Sequence, residues 1–281
     1  MTVLAFGLAA WFVPEARAAE LTPLDCRTAG VCTFAAGDYA GARWETVNVG
    51  STGTGVINSF VRVQGDGIID GHNTNGALSN DELAGTWTHA IQLSSIPLLN
   101  IGGSLYYEFL LDINQNNGHN DEWLALNNVQ ICLAANAEGP LLTQANGCPS
   151  GPPNYNMGAL SGVASNEYLI LNSNLNDGSG SGDLFMYIPM STLGTNGSDW
   201  LYLYSQFGGR GGFTDNDGFE EWAVRICGET YGKKNKNDPG TVLVCATPTV
   251  DPRGNVPEPG SVVLLGTGLI GLAIMAKRLR G

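Results

Sequence analysis

Short apolar segments alternate along most of the chain with clusters of Gly, Asn, Ser and Asp. No segment sustains the apolar spacing of a long amphipathic helix, so the pattern favours short strands joined by turns. Strands of this number and length are typical of an all-β fold, either a β-sandwich or a jelly roll. The predicted strands cover residues 56–63, 106–113, 129–133, 168–171, 184–188, 200–204, 219–226 and 242–245.

The segment 105–114 shows how one of these strands would divide its side chains between two faces. Successive side chains of a strand point to opposite sides of the sheet. The apolar set is predicted to face the core and consists of Leu105, Tyr107, Phe109, Leu111 and Ile113. The opposite set leads into a polar loop at 115–122 and consists of Tyr106, Glu108, Leu110, Asp112 and Asn114.

The two ends of the chain differ from this body. Residues 4–13 form an apolar run too short to span a bilayer, and Ala16 and Ala18 are the small residues that signal peptidase requires. Residues 1–18 are therefore predicted to be a signal helix, and because no basic residue precedes the apolar run, we expect the true start codon upstream. The apolar run 262–276 and the basic residues after it predict one transmembrane helix with a cytoplasmic end.

These signals divide the chain into a signal peptide at 1–18, an exported all-β body at 19–252 and a C-terminal segment at 256–281.

The chain of 281 residues has 26 acidic and 13 basic side chains and a net charge of −13. Such an acidic balance excludes a nucleic-acid binder built on basic patches. It keeps an exported protein soluble and favours divalent cations over anionic partners.

All six cysteines lie in the body, and an even number in an oxidising compartment predicts three disulfides. Six cysteines allow 15 pairings. Proximity along the chain favours Cys26 with Cys32, Cys132 with Cys148, and Cys227 with Cys245. Zinc ligation is the competing interpretation, but the chain contains no Cys-x-x-Cys pair and its three histidines lie apart from the cysteines.

Two oxygen-rich clusters, 112–122 and 215–221, predict a calcium site at one end of a sandwich, because calcium takes six to eight oxygen ligands. The first cluster begins like an EF-hand loop, but its glycine comes one place late and Trp123 stands where that loop needs Glu. Glu220 and Glu221 would face opposite sides of a regular strand. The alternative is solvated turns capped by Asn side chains. The candidate ligands are Asp112, Asn114, Asn116, Asp121, Asp217 and Glu220.

Aromatic residues Trp200, Tyr202 and Tyr204 share one face of a predicted strand whose other face carries Leu201 and Leu203. An exposed aromatic face would suit stacking on sugars, whereas a face covered on both sides would be core.

The carboxylates permit a glycosidase pair and the Ser, His and Asp residues permit a hydrolase triad. No nucleophile elbow, zinc-protease helix or phosphate loop occurs in the sequence. We therefore expect a non-catalytic body, with a carbohydrate-active hydrolase or a carbohydrate-binding module as the alternatives.

The C-terminal segment has three parts in order: the motif Val256, Pro257, Glu258 and Pro259, the apolar run 262–276, and a basic end. This arrangement resembles the PEP-CTERM sorting tail of Gram-negative bacteria that make extracellular polysaccharide. The resemblance implies processing near Pro257 to Pro259 by an exosortase, a membrane transpeptidase. A simple membrane anchor is the alternative.

The body between residues 52 and 225 also resembles an uncharacterised group of PEP-CTERM proteins, a resemblance that implies no activity. It rests on the stretches 53–57, 60–64, 107–115, 179–183 and 218–222. The expected protein is thus an exported surface or extracellular-matrix component with signal peptidase and an exosortase as partners. We expect the membrane to hold it transiently, calcium to stabilise it and exopolysaccharide to bind it.

Overall fold

The computed structural model describes residues 23–32, 41–46, 57–118, 121–138, 148, 152–157, 168–176, 182–228, 230–231, 241–242 and 244–245. Its regular elements are sixteen strands, one short α-helix, α1 (Met190–Leu193), and single 3-10 turns at Leu93–Ser95 and Ser173–Leu175. The prediction of an all-β fold is therefore confirmed. The strands are β1 (Leu24–Asp25), β2 (Gly30–Cys32), β3 (Arg43–Thr46), β4 (Ile57–Val63), β5 (Ile69–His72), β6 (Ile91–Gln92), β7 (Leu98–Ile101), β8 (Ser104–Asp112), β9 (Trp123–Ala134), β10 (Tyr155–Asn156), β11 (Leu169–Asn172), β12 (Leu184–Pro189), β13 (Trp200–Phe207), β14 (Glu220–Arg225), β15 (Thr230–Tyr231) and β16 (Thr241–Val242).

The strands form two seven-stranded sheets and one hairpin. Sheet A has the order β1-β11-β9-β13-β5, with β10 beside β9 and β6 beside β13. Sheet B has the order β2-β3-β12-β8-β14-β4, with β7 beside β8, and β15 pairs with β16. Pairing is antiparallel throughout except between β1 and β11.

One hydrophobic core lies between the two sheets. Leu126, Leu203 and Phe207 of sheet A belong to the same buried cluster as Phe109 and Trp222 of sheet B. The indole Nε1 of Trp222 also donates a hydrogen bond across the core to Ser205 Oγ of sheet A, at 3.1 Å. Burial of large side chains from both sheets in one cluster is the main favourable term for such a two-layer arrangement.

Strand β8 divides its side chains between the two faces of sheet B as predicted. Tyr107, Phe109, Leu111 and Ile113 join the main core. On the opposite face, Leu110 packs in a smaller cluster with Phe185 and Tyr187. Asp112 therefore lies on the outer face of sheet B, away from the core between the sheets.

The three predicted disulfides are present, with Cα–Cα distances of 5.3 Å for Cys26–Cys32 and 5.6 Å for both Cys132–Cys148 and Cys227–Cys245.

The signal segment and the C-terminal segment lie outside the described residues, so the predicted bounds 1–18, 19–252 and 256–281 stay predictions. Within the described part of the chain, no helix has the length and hydropathy needed to cross a membrane.

Candidate functional site

The two oxygen-rich clusters meet at one end of the sheets, where β8 runs toward β9 and β13 runs toward β14. Asn116 and Asn216 join the loops, since the Asn116 amide N–H donates to Asn216 Oδ1 at 2.8 Å and Asn116 Nδ2 donates to the Asn216 carbonyl at 3.1 Å. Asn216 Nδ2 donates in turn to the carbonyl of Asp121 at 2.7 Å. Asn114 Nδ2 donates to the Phe219 carbonyl at 3.0 Å. The asparagines therefore close this end of the molecule by fixing one loop against the other.

Beneath these asparagines lies a buried carboxylate pair bridged by an amide. Gln115 Nε2 donates to Asp215 Oδ1 and to Glu220 Oε1, each at 2.8 Å. Glu220 is fully buried and Asp215 is 3% exposed. The Gln115 Oε1 atom accepts a hydrogen bond from the Asn216 amide at 3.2 Å, so the bridge is tied to the outer loop.

The surroundings of this pair disfavour its negative charge. Burial raises the pKa of Glu220 well above its ordinary value, and the nearby Asp215 carboxylate raises it further, against the opposing effect of the Gln115 amide. Burial likewise raises the pKa of Asp215, while hydrogen bonds with Gln115 and Glu220 oppose that rise. Two carboxyl groups without a positive partner are costly in a low-dielectric interior, so one of them must gain a proton or a cation.

The six residues predicted as metal ligands do not converge on one point. Glu220 faces the core between the sheets, whereas Asp112 pairs in register with Glu221 and lies on the outer face. Asp121 and Asp217 are exposed, and Asp217 Oδ1 accepts a hydrogen bond from the Gly218 amide at 2.8 Å. Within the described residues, no three His, Cys, Asp or Glu side chains are grouped as a metal site would require. Calcium binding by the predicted set stays a prediction.

Gln115 and Asp215 lie within the two predicted oxygen-rich clusters, but they were not among the candidate ligands selected from the sequence. The alternation that places Ile113 on the core face also places Gln115 there. A polar residue at a position predicted to face the core was therefore the sequence feature that could have identified Gln115. The same alternation correctly separates Glu220, which is buried between the sheets, from Glu221, which pairs with Arg62 at 2.6 Å. The contact of Gln115 with Asp215, one hundred positions away, has no local signal.

The predicted aromatic platform is largely covered. Tyr202 and Tyr204 are buried in a cluster with Cys132, and Trp200 packs against this cluster while half-buried. Tyr204 Oη donates to Asp70 Oδ2 at 2.7 Å, and Tyr202 Oη donates to the Asn136 carbonyl at 2.5 Å. Because the faces of these two tyrosines are enclosed, they correspond to the alternative in which the aromatic side of the strand is core.

Elsewhere in the described part of the chain, three buried glutamates lie beside basic side chains. Glu82 Oε1 lies 2.8 Å from His72 Nδ1, with both side chains fully buried. Glu108 accepts from Arg225 Nε at 2.6 Å, and Glu221 accepts from Arg62 Nη2 at 2.6 Å. These pairs hold strands and loops together. In each of them the glutamate lies beside a basic side chain, which the Asp215–Glu220 pair bridged by Gln115 does not.

Comparison with known families gives one finding. A family model described as the PEP-CTERM protein-sorting motif matches residues 255–278, which lie outside the described residues. The match confirms the interpretation of the C-terminal segment, whereas the resemblance of the body to a particular group stays a prediction. Comparisons with curated proteins and with solved structures found no match.

Proposed function

We propose that this PEP-CTERM protein is a non-catalytic structural component of the cell surface or the extracellular matrix. The sorting motif at residues 255–278 carries the proposal. The motif implies an exported protein at the cell envelope or surface, with an exosortase as its processing partner.

The body has properties that suit a structural role outside the cell. Three disulfides cross-link it, and such links are typical of proteins from oxidising compartments. Most of its strands belong to two sheets around one core, and its loops are fixed by side-chain hydrogen bonds at the end near Asn116. A cross-linked β framework of this kind supports mechanical or scaffolding functions without requiring a reactive centre.

The hydrolase alternative receives less support from the same geometry. A glycosidase needs two carboxyl groups on either side of a sugar, with room between them for the bond that is cleaved. Asp215 and Glu220 both contact the same amide nitrogen and are buried, so a sugar cannot reach between them.

A finer proposal is contact with exopolysaccharide through the outer face of sheet B. A groove of about 470 Å³ lies there, lined by Arg43, Glu45, Asn100 and Tyr187 among others. Arg43, Glu45 and Asn100 can exchange hydrogen bonds with sugar hydroxyl groups, whereas Tyr187 is 6% exposed and offers little ring surface for stacking. The acidic net charge of the whole chain favours neutral or cation-bridged polysaccharide over a strongly anionic one.

Expression of the full-length chain in a bacterium that has an exosortase tests the sorting claim. We expect the wild-type protein in the surface fraction and the double variant Pro257→Ala with Pro259→Ala in the membrane fraction as a longer species. Ser261→Ala, just beyond the Val-Pro-Glu-Pro segment at 256–259, is the matched control and should be sorted like the wild type. Equal surface levels of the double variant and the wild type would refute the proposal, as would normal sorting in a strain without the exosortase.

A further inference from the structure

One tryptophan differs from the other aromatic residues because it lies on the surface. Trp87 is 42% exposed. Among the residues whose side chains the structure describes, every other Trp, Tyr or Phe is buried or half-buried. The exposed part of an indole side chain in this position amounts to about 100 Å². Trp87 therefore offers the open aromatic surface that the enclosed residues Tyr202 and Tyr204 do not offer.

One face of the Trp87 ring is covered by Arg62, which is itself held in place. The guanidinium carbon of Arg62 lies 4.4 Å from the centre of the Trp87 ring and 3.8 Å from the centre of the Phe219 ring. Arg62 Nε and Nη2 donate to Glu221 Oε2 at 3.1 and 2.6 Å. The cation–π contact fixes the indole against a guanidinium that cannot swing away, so the exposed part of Trp87 belongs to its opposite face and its edges.

The loop that carries Trp87 is anchored to β4 on both sides of the ring. The Leu83 amide donates to the Arg62 carbonyl at 2.9 Å, and the His89 amide donates to the Phe60 carbonyl at 2.9 Å. A side chain that is already held in one orientation loses little conformational entropy when a ligand binds. The Trp87 ring is therefore prepared for a stacking contact.

The charges of the described residues around Trp87 compensate each other. Arg62 Nη2 lies 2.6 Å from Glu221 Oε2, and the two side chains are 15% and 5% exposed. Residues 84–86, which precede Trp87, are exposed and uncharged. An anionic ligand would have to compete with Glu221 for Arg62, and the net charge of −13 repels it further. The surface thus suits a neutral ligand with an apolar face and polar edges.

We propose that Trp87 and Arg62 bind a neutral polysaccharide by stacking one hexopyranose ring on the open face of the indole. The carbon-bound hydrogens of such a sugar form a flat apolar face, which matches an aromatic ring. Arg62 carries five N–H groups, and those that Glu221 does not accept can donate to sugar hydroxyl groups. A protein partner would need about 800 Å² of contact on each side, far more than one indole supplies.

This inference rests on the proposed contact of the body with exopolysaccharide and names a second point of contact on the same side of sheet B. Arg62 pairs in register with Glu221, which lies on the outer face of that sheet. The groove beside Arg43 supplies hydrogen-bonding groups but little ring surface. Trp87 supplies the ring.

Native electrophoresis of the full chain in gels that contain a defined polysaccharide tests this site, in a detergent without a sugar headgroup. The neutral probes are dextran, galactomannan and hydroxyethylcellulose, and alginate is the anionic probe. We expect at least one neutral probe to retard the wild type and alginate not to retard it. Trp87→Ala should weaken binding of that probe about tenfold or more, and Trp87→Phe, which keeps a ring, should weaken it less. Ile68→Ala removes another exposed apolar side chain and should bind like the wild type.

Fluorescence of the wild type tests the same contact without a substitution. Trp44 and Trp222 are fully buried, so quenching by acrylamide reports chiefly on the exposed Trp87. A neutral polysaccharide that retards the protein should reduce this quenching. Unchanged quenching in the presence of that polysaccharide would overturn the site.

The binding results separate this site from the wider proposal. A wild type that none of the neutral probes retards would overturn both the site and the polysaccharide contact, but not the sorting claim, which the exosortase-deficient strain tests. A folded Trp87→Ala that binds like the wild type would overturn the site alone. Loss of binding in Arg43→Ala but not in Trp87→Ala would place the contact in the groove. Equal retardation by alginate would refute the neutral class of ligand.

Discussion

At the scale of single residues, the interior of this protein contains several carboxylates, and their partners decide what each one does. Glu108 is fully buried, and Arg225, whose side chain is 13% exposed, contacts both of its oxygens while lying 4.6 Å from the centre of the Phe185 ring. Alternation along β8 predicts the face of Glu108, but it does not predict Arg225, which reaches it from the neighbouring strand. Local pattern thus gives the direction of a side chain, and tertiary pairing gives its partner.

Removal of the Arg225 side chain should be strongly destabilising. Arg225→Ala leaves the Glu108 carboxylate buried without a cation, which typically costs about 3–5 kcal/mol in the free energy of unfolding. Arg43→Ala breaks the more exposed contact between Arg43 and Glu45 and should cost at most about 1 kcal/mol. Urea unfolding of both variants measures the difference, and similar losses for the two would contradict this account.

The pair of Glu82 and His72 should make stability depend on acidic pH. Burial raises the pKa of Glu82, but hydrogen bonds from His72 and from the Asn80 amide outweigh it, and the pKa of Glu82 in the folded state lies below its ordinary value. The carboxylate therefore stabilises the folded protein above about pH 4.5, and this contribution is lost as pH falls through the folded-state pKa.

The free energies of unfolding of the wild type and of Glu82→Gln should consequently converge as the solution is acidified. Denaturant unfolding at neutral pH and at pH values below about 4 measures this convergence. A difference between the two proteins that stays constant or widens toward low pH would rule out the stabilising role of the Glu82 carboxylate.

At the scale of elements, every strand predicted from the apolar pattern overlaps a strand of the structure, and the missed strands are short or polar. The apolar pattern predicts no strand over residues 66–73, but β5 lies there. The polar residues Asp70 and His72 hide β5 in the sequence pattern. Their partners are Tyr204, which is 134 positions from Asp70, and Glu82, which lies in the segment that follows β5. Short edge strands such as β1 and β2 are likewise fixed by pairing and by the Cys26–Cys32 disulfide, which no window of sequence can show.

One turn between elements requires glycine for a reason that a single variant can test. Gly208 follows β13 with φ of +82°, and a Cβ atom there would clash with the backbone carbonyl of Gly67. Gly208→Ala should lower the free energy of unfolding by about 3 kcal/mol or more, because the cost of backbone strain and the cost of a steric clash add together. Gly212 has φ of +83° with open space around it, so Gly212→Ala should cost only about 1–2 kcal/mol in urea unfolding.

Equal losses at the two glycines would show that backbone conformation alone determines the cost, which would refute the close approach of Gly208 to Gly67. The comparison is matched because both substitutions add one methyl group at a position of similar φ.

The longest strand of sheet A is cross-linked at its end by a disulfide whose contribution follows from loop closure. The Cys132–Cys148 bond joins positions 16 residues apart. A loop of this size predicts stabilisation of about 3 kcal/mol through restriction of the unfolded chain. Unfolding of the double variant Cys132→Ala with Cys148→Ala measures this loss, and an unchanged free energy of unfolding would contradict it.

At the scale of the whole molecule, the C-terminal motif bears on the sorting of the protein, whereas the body bears on its chemistry. The motif at residues 255–278 was recognisable from sequence because its three parts are local and ordered. The buried pair bridged by Gln115 was not, because its members come from loops that meet only after the sheets have formed. The sorting signal can therefore be recognised from the sequence alone, whereas the chemistry of the body depends on tertiary structure.

We propose that the sorting tail delivers this protein to the cell surface and is removed there. The most direct measurement is the intact mass of the protein released from the surface of an exosortase-containing bacterium, compared with the same protein from an exosortase-deficient strain. We expect a mature chain that ends near Pro257 to Pro259 in the first strain and a chain that retains the apolar run 262–276 in the second. A surface form of identical mass in both strains, with the C-terminal segment intact, would contradict it.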